Sequence, residues 1–261
     1  VIGSGVNASF TGADADALFV IGTDDRYISG TWVIRFNGFG TLNGGSLADT
    51  FDISGTLQYD MYGGDGNDQF ILNNGANLVG TINGGAGEDI IRMVGDARIT
   101  GTVNGGSGSN LLDYSGYADA VNVNLGSGLA TGINGGIAGQ VSNIANLIGS
   151  AFDDTLIGNE LDNIITGGAE NDTLQGGSGK DTYKFADNWG NDTVIDELAD
   201  SDNLDFTTTA DLDINLAGRF VTSGINRLGF SGIEVINGGS GNDVFHISGT
   251  NHYVLNGGDG N

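Results

Sequence analysis

Apolar and polar residues alternate along this chain in short runs, and glycine-rich turns separate one run from the next. Runs such as Gln69-Phe70-Ile71-Leu72, Arg98-Ile99-Thr100-Gly101-Thr102-Val103 and Leu212-Asp213-Ile214-Asn215-Leu216 have the period of two that predicts half-buried strands. Double glycines begin at 44, 63, 84 and 105, a spacing of about 20 residues. Two or three short parallel strands fit between successive turns. The pattern predicts an all-β solenoid, here a wide β-helix with one glycine-bearing edge and one plain edge.

A tighter period follows. From Gly158 to Phe185 three nine-residue units run without a spacer, on the rule G-G-x-G-x-D-x-apolar-x. The unit starting at Gly176 fits at every position, and the unit starting at Gly167 departs in carrying Glu170 where the fourth-place glycine belongs. Paired glycines permit the positive φ angles of a tight turn that aims its carbonyls inward. The aspartate closes the turn, and the apolar residue two places on (Leu174, Tyr183) starts a strand. Calcium is a hard cation that takes six to eight oxygens, which turn carbonyls and carboxylates can supply. Such nonapeptides are a calcium-binding β-helix signature.

In these units the chain resembles the RTX family, the glycine- and aspartate-rich repeats of secreted bacterial toxins, proteases, epimerases and adhesins. The resemblance implies a right-handed parallel β-roll with Ca2+ between stacked turns. It implies ligation by the sixth-position aspartate and by the carbonyls of the second and fourth positions, in a chain largely unfolded without calcium. Carried onto this sequence, the carboxylates are Asp68, Asp89, Asp172, Asp181 and Asp243, with Asp49, Asp154 and Asp192 in less regular turns. The carbonyls are those of Gly64, Gly66, Gly85, Gly87, Gly168, Gly177, Gly179, Gly239 and Gly241. Asn110 stands where a sixth-position aspartate would be, and the Gly135-Gly136 turn has lost its acid, so calcium is not expected at either.

Composition narrows the partners. A formal charge of −25 with eight Lys and Arg leaves no cation cluster for phosphate, which excludes nucleic acid and disfavours anionic membrane surfaces. No apolar stretch is long enough to span a bilayer as a helix. The chain has 49 glycines, no proline and no cysteine, which argues against an ordinary globule and fits a protein stapled by metal rather than disulfides. Only two histidines occur, His246 and His252, so a Ser-His-Asp arrangement is not expected. No catalytic residue is predicted. Trp189 reads as a packing cap at a turn, with sugar stacking as the competing use.

The chain also repeats itself at long range. Phe36 to Asn67 matches Phe230 to Asn261 without a gap at an offset of 194, with 18 of 32 positions identical. The expected organisation is the end of one tandem unit (1–35), wide coils (36–148), a nonapeptide β-roll (149–196), a strand-rich spacer (197–229) and the start of the next unit (230–261). This predicts a calcium-stabilised structural region of a secreted bacterial adhesin, filament or matrix protein. The RTX resemblance implies that it would leave the cell by type I secretion, and it would fold outside. The partners would be calcium, neighbouring tandem units and other copies of the filament. The alternatives are a calcium-binding accessory module of a secreted enzyme and a glycan- or ice-binding segment.

Overall fold

The computed structural model describes residues 1–261 apart from 4, 6, 198–199, 208–209, 249–251 and 261. The described residues are β-strands and turns, with one 3-10 turn at Asn134–Gly136. Most strand pairs are parallel, and consecutive coils of the chain supply the partners. The architecture is a parallel β-roll solenoid. It divides into two compact units: Val1–Asp119 with Ser127–Ile144, and Ala120–Gly126 with Ala145–Asn261.

In the first unit each full coil contributes three strands to three separate ladders. The coil containing Ile82–Ala86, Ile90–Gly95 and Arg98–Ile99 is representative. Ile82 pairs with Met61 below and Val103 above, and Ile91 with Phe70 and Leu112. Alternation turns one residue in two inward, so the core forms columns of like side chains. Leu42, Met61, Ile82 and Val103 make one column, and Phe19, Phe51, Phe70, Ile91 and Leu112 another, all buried. The rings of Phe19, Phe51 and Phe70 stack at 4.5 and 4.7 Å between centroids, within 9° of parallel.

In the second unit the coil is shorter and two-sided. Thr155 pairs with Thr173, and Ile164 with Thr182, both offsets of 18 residues. One ladder runs through Asn122–Asn124, Thr155–Ile157, Thr173–Gln175 and Asn191–Ile195, the other through Asn146–Ile148, Ile164–Thr166, Thr182–Phe185 and Asn203–Phe206. Each nine-residue repeat gives one strand, so successive repeats alternate between the ladders. Two apolar columns close the interior: Val123, Leu156, Leu174, Val194, and Leu147, Ile165, Tyr183, Leu204. Trp189 is 1 % exposed and packs against Phe185 and Phe206 at 6.1 and 5.4 Å, which leaves no face for a sugar.

The long-range repeat is also a repeat of topology. Ser9 pairs with Thr41 and Thr41 with Asp60; 194 residues on, Asn203 pairs with Val235 and Val235 with Val254. Ahead of each copy lies an antiparallel three-stranded meander, Ala17–Ile21, Arg26–Ser29, Trp32–Arg35 in one and Asp213–Asn215, Phe220–Ser223, Asn226–Ser231 in the other. A glycine with positive φ turns the last hairpin of each, Gly30 at 56° and Gly224 at 60°.

Candidate metal centres

The glycine turns bring the sixth-position residues into ladders in which each side chain bonds the coil before it. In the first unit Oδ1 of Asp68 accepts the Asp49 amide at 2.7 Å, Oδ1 of Asp89 accepts that of Asp68 at 2.8 Å, and Oδ1 of Asn110 accepts that of Asp89 at 2.8 Å. The second unit has two ladders of this kind. Asp154 accepts from Val121, Asp172 from Asp154 and Asp192 from Asp172 along one edge. Asp181 accepts from Asn163, and Asp202 from Asp181, along the other. Asp243 accepts from Leu212 at 3.0 Å.

The second carboxylate oxygen is the informative one. Oδ2 of Asp49, Asp68, Asp89, Asp172, Asp181, Asp192 and Asp243 is buried without a hydrogen-bond partner. Buried polar atoms are normally paired, and a repeated exception points to an ion. No protein cation answers them: among the described residues the ion pairs use Asp24, Asp113 and Asp213 instead. Burial pushes the carboxyls of Asp49 and Asp181 up to about 6, of Asp68 and Asp172 to about 7, and of Asp192 to about 8. Asp89 and Asp243 are raised for the same reason. To be charged at neutral pH, these groups need a counter-charge within reach.

The glycines of the motif make the space. A Cβ on Gly176 would lie 1.9 Å from Oδ2 of Asp181, and one on Gly63 2.0 Å from Oδ2 of Asp68. The second and fourth positions stack on main-chain carbonyls of the preceding coil: Gly64 on Gly45, Gly85 on Gly64, Gly87 on Gly66, Gly168 on Ser150, Gly177 on Asn159 and Gly179 on Leu161. Gly66 lies over the Leu47–Ala48 peptide, Gly241 over the Ala210 carbonyl, and the carbonyls of Gly239 and Gly241 face Gly258 and Gly260. Glu170, which replaces a fourth-place glycine, takes a positive φ of 70°, so the turn keeps its shape at the cost of strain. Carbonyls and unpaired carboxylates in the same turns are a donor set suited to a hard dication.

Three members depart from the rule. Asp154 is satisfied inside its own turn, where the Ser150 amide and hydroxyl donate to its two oxygens. Asn110 and Asn163 fill the corresponding place with an amide: Nδ2 of Asn110 donates to the Asn143 carbonyl at 3.0 Å, and Nδ2 of Asn163 to that of Ala145 at 2.7 Å. These rungs meet their own hydrogen-bonding needs. Asp202 is a member that sequence reasoning missed. It occupies the ladder position above Asp181 although no glycine pair precedes it, and only the 21-residue step from Asp181, matching the wide coils, could have found it.

A parallel β-roll carrying ladders of buried, unpaired carboxylates in glycine turns defines a calcium-binding solenoid. The family model described as the RTX calcium-binding nonapeptide repeat matches the chain in four stretches, residues 61–79, 81–92, 148–183 and 228–246. The chain therefore carries RTX repeats, which bind Ca2+, and forms a calcium-binding structural repeat region. The curated proteins contain no significant match to it.

Proposed function

We propose that this region is a calcium-stapled spacer of a secreted bacterial surface protein, built from tandem units and folding fully only where calcium is abundant. The observation that carries the reading is the row of buried carboxylate oxygens with no partner in the protein. The ligands are the aspartates whose Oδ2 is orphaned together with the stacked turn carbonyls. The chain's own residues hold the turns open and set the spacing; bound calcium supplies charge neutralisation and cross-links successive coils. Asp154, Asn110 and Asn163 are rungs that do without it.

Extracellular-type sites have dissociation constants of about 10⁻⁴ to 10⁻³ M. At ~1 mM calcium an ion held at about 10⁻⁴ M stabilises the fold by roughly 1.4 kcal/mol, and several such rungs add. The same sites are empty at cytosolic calcium, which keeps the short-coil roll unfolded and the chain incompletely folded for export. Equal registers 194 residues apart support an array in which one unit's strands continue the next. This favours a stiff projecting rod over an enzyme's accessory module. Calcium titrated into the EDTA-stripped chain, followed by far-UV circular dichroism with magnesium as control, tests the reading. A cooperative gain of β signal with calcium alone is expected; a stripped chain already folded and indifferent to calcium overturns it.

A further inference from the structure

Asp196, like Asp202, is an acid near the ladders that lies outside the nonapeptide motif. Asp196 follows the strand Asn191–Ile195, and the stretch from it to Asp202 contains no glycine. Its carboxylate lies near the amide of Gly177, in the Gly176-Gly177 turn. The buried Tyr183 hydroxyl donates to its Oδ2, and the Glu197 amide to its Oδ1 at 2.9 Å. Oδ2 of Asp181 sits under the same turn, buried and without a partner. Asp181, Asp196 and Asp202 each bring a carboxylate oxygen within 4.8 Å of the other two. Among the described residues no other three carboxylate or imidazole groups converge so closely.

We propose that Asp181, Asp196 and Asp202 together hold one divalent cation of the calcium type, and that this site is the tightest of the region and fills first. The proposal rests on the calcium-ladder reading and adds a ligand from outside the motif. Two of the acids are ladder members. The third is fixed by Tyr183, whose ring is anchored in the core, so the site is largely organised before the ion arrives. Affinity in all-oxygen sites rises with the number of charged ligands and with rigidity, and this site exceeds the regular rungs in both. The carboxylate of Asp196 supplies a ligand in a stretch whose sequence has no glycine pair.

The test is a competitive calcium titration of the full chain against a chelator, comparing wild type with Asp196→Asn. The isosteric amide keeps an acceptor for the backbone donors and removes one charge. The tightest binding step should weaken by about tenfold or more, while the weaker steps and the folded state at saturating calcium stay as in wild type. An unchanged first step in a variant that binds as wild type does overturns the proposal and leaves the ladders standing. No calcium binding by the wild-type chain overturns both. Should Asp196→Asn fail to fold, a crystal structure of the wild-type chain at limiting calcium decides. An ion about 2.3–2.6 Å from an Asp196 oxygen supports the site; an ion bonded to Asp181 and Asp202 but not to Asp196, or none at that turn, overturns it.

Discussion

The two units solve the same stacking problem with different proportions of oil and metal. A wide coil of the first unit, residues 82–102, buries Ile82, Ile91, Met93, Ala97 and Ile99, whereas the 18-residue coil 167–184 buries only Leu174 and Tyr183 among its apolar side chains. The two larger of the three extra side chains are worth roughly 3–6 kcal/mol per coil. The first unit has one acid ladder, and the short-coil roll has two. Where the coil is too narrow to enclose a wide apolar core, charge neutralisation by calcium must supply the difference. Calcium dependence is therefore expected to scale inversely with coil width.

The largest test of that contrast is chelation. With calcium removed, the amides of Thr173–Gln175 and Thr182–Phe185 should lose hydrogen-exchange protection entirely, while Gln69–Leu72 and Ile90–Gly95 keep a measurable part of theirs. Equal loss in both would show that width does not matter. Acid should partly replace the metal. The carboxyls of Asp68, Asp172 and Asp192 are raised by burial from 3.8 to about 7, 7 and 8, so the folded metal-free chain binds protons more tightly than the unfolded one. Their contribution is complete below about pH 4 and is lost as pH rises through 7 to 8. EDTA-stripped protein should accordingly recover β signal on going from pH 8 to pH 5, most of all in the short-coil roll.

Core truncation probes the other side. Phe70→Ala breaks the stack with Phe51 and should cost about 3–5 kcal/mol in thermal denaturation, by a similar amount with and without calcium. At the ladder, Asp172→Ala leaves the buried Asp154 amide without its acceptor, so in calcium it should be about 2 kcal/mol less stable than Asp172→Asn. The asparagine variant should bind one ion fewer and, without metal, exceed wild type in stability at pH 8. The smallest effect is a gain: Asn163→Asp should add one calcium to the stoichiometry read by calorimetry, because it replaces an amide that bonds Ala145 with an oxygen that cannot.

Sequence alone determined the solenoid and most of the ladder positions, because both follow from local periodicity. Period-two alternation puts Met61, Phe70 and Leu72 inside whichever coil lies above them, and G-G-x-G-x-D places Asp68, Asp89, Asp172 and Asp181 on turn edges whatever the rest of the chain does. The long-range match of 36–67 to 230–261 likewise anticipated two copies of one strand pattern. Only the tertiary structure decided which turns lack a counter-charge. Asp154 holds the sixth position as Asp172 does, yet Ser150, standing where the second glycine belongs, satisfies it, while Asn163, at the same position of an adjacent repeat, donates to a carbonyl 18 residues back. Asp202 and Asp196 carry no motif at all; they join Asp181 because the chain between them steps up by one coil. Periodicity is written residue by residue, but whether a buried oxygen has a partner depends on groups that stacking brings together from distant parts of the chain.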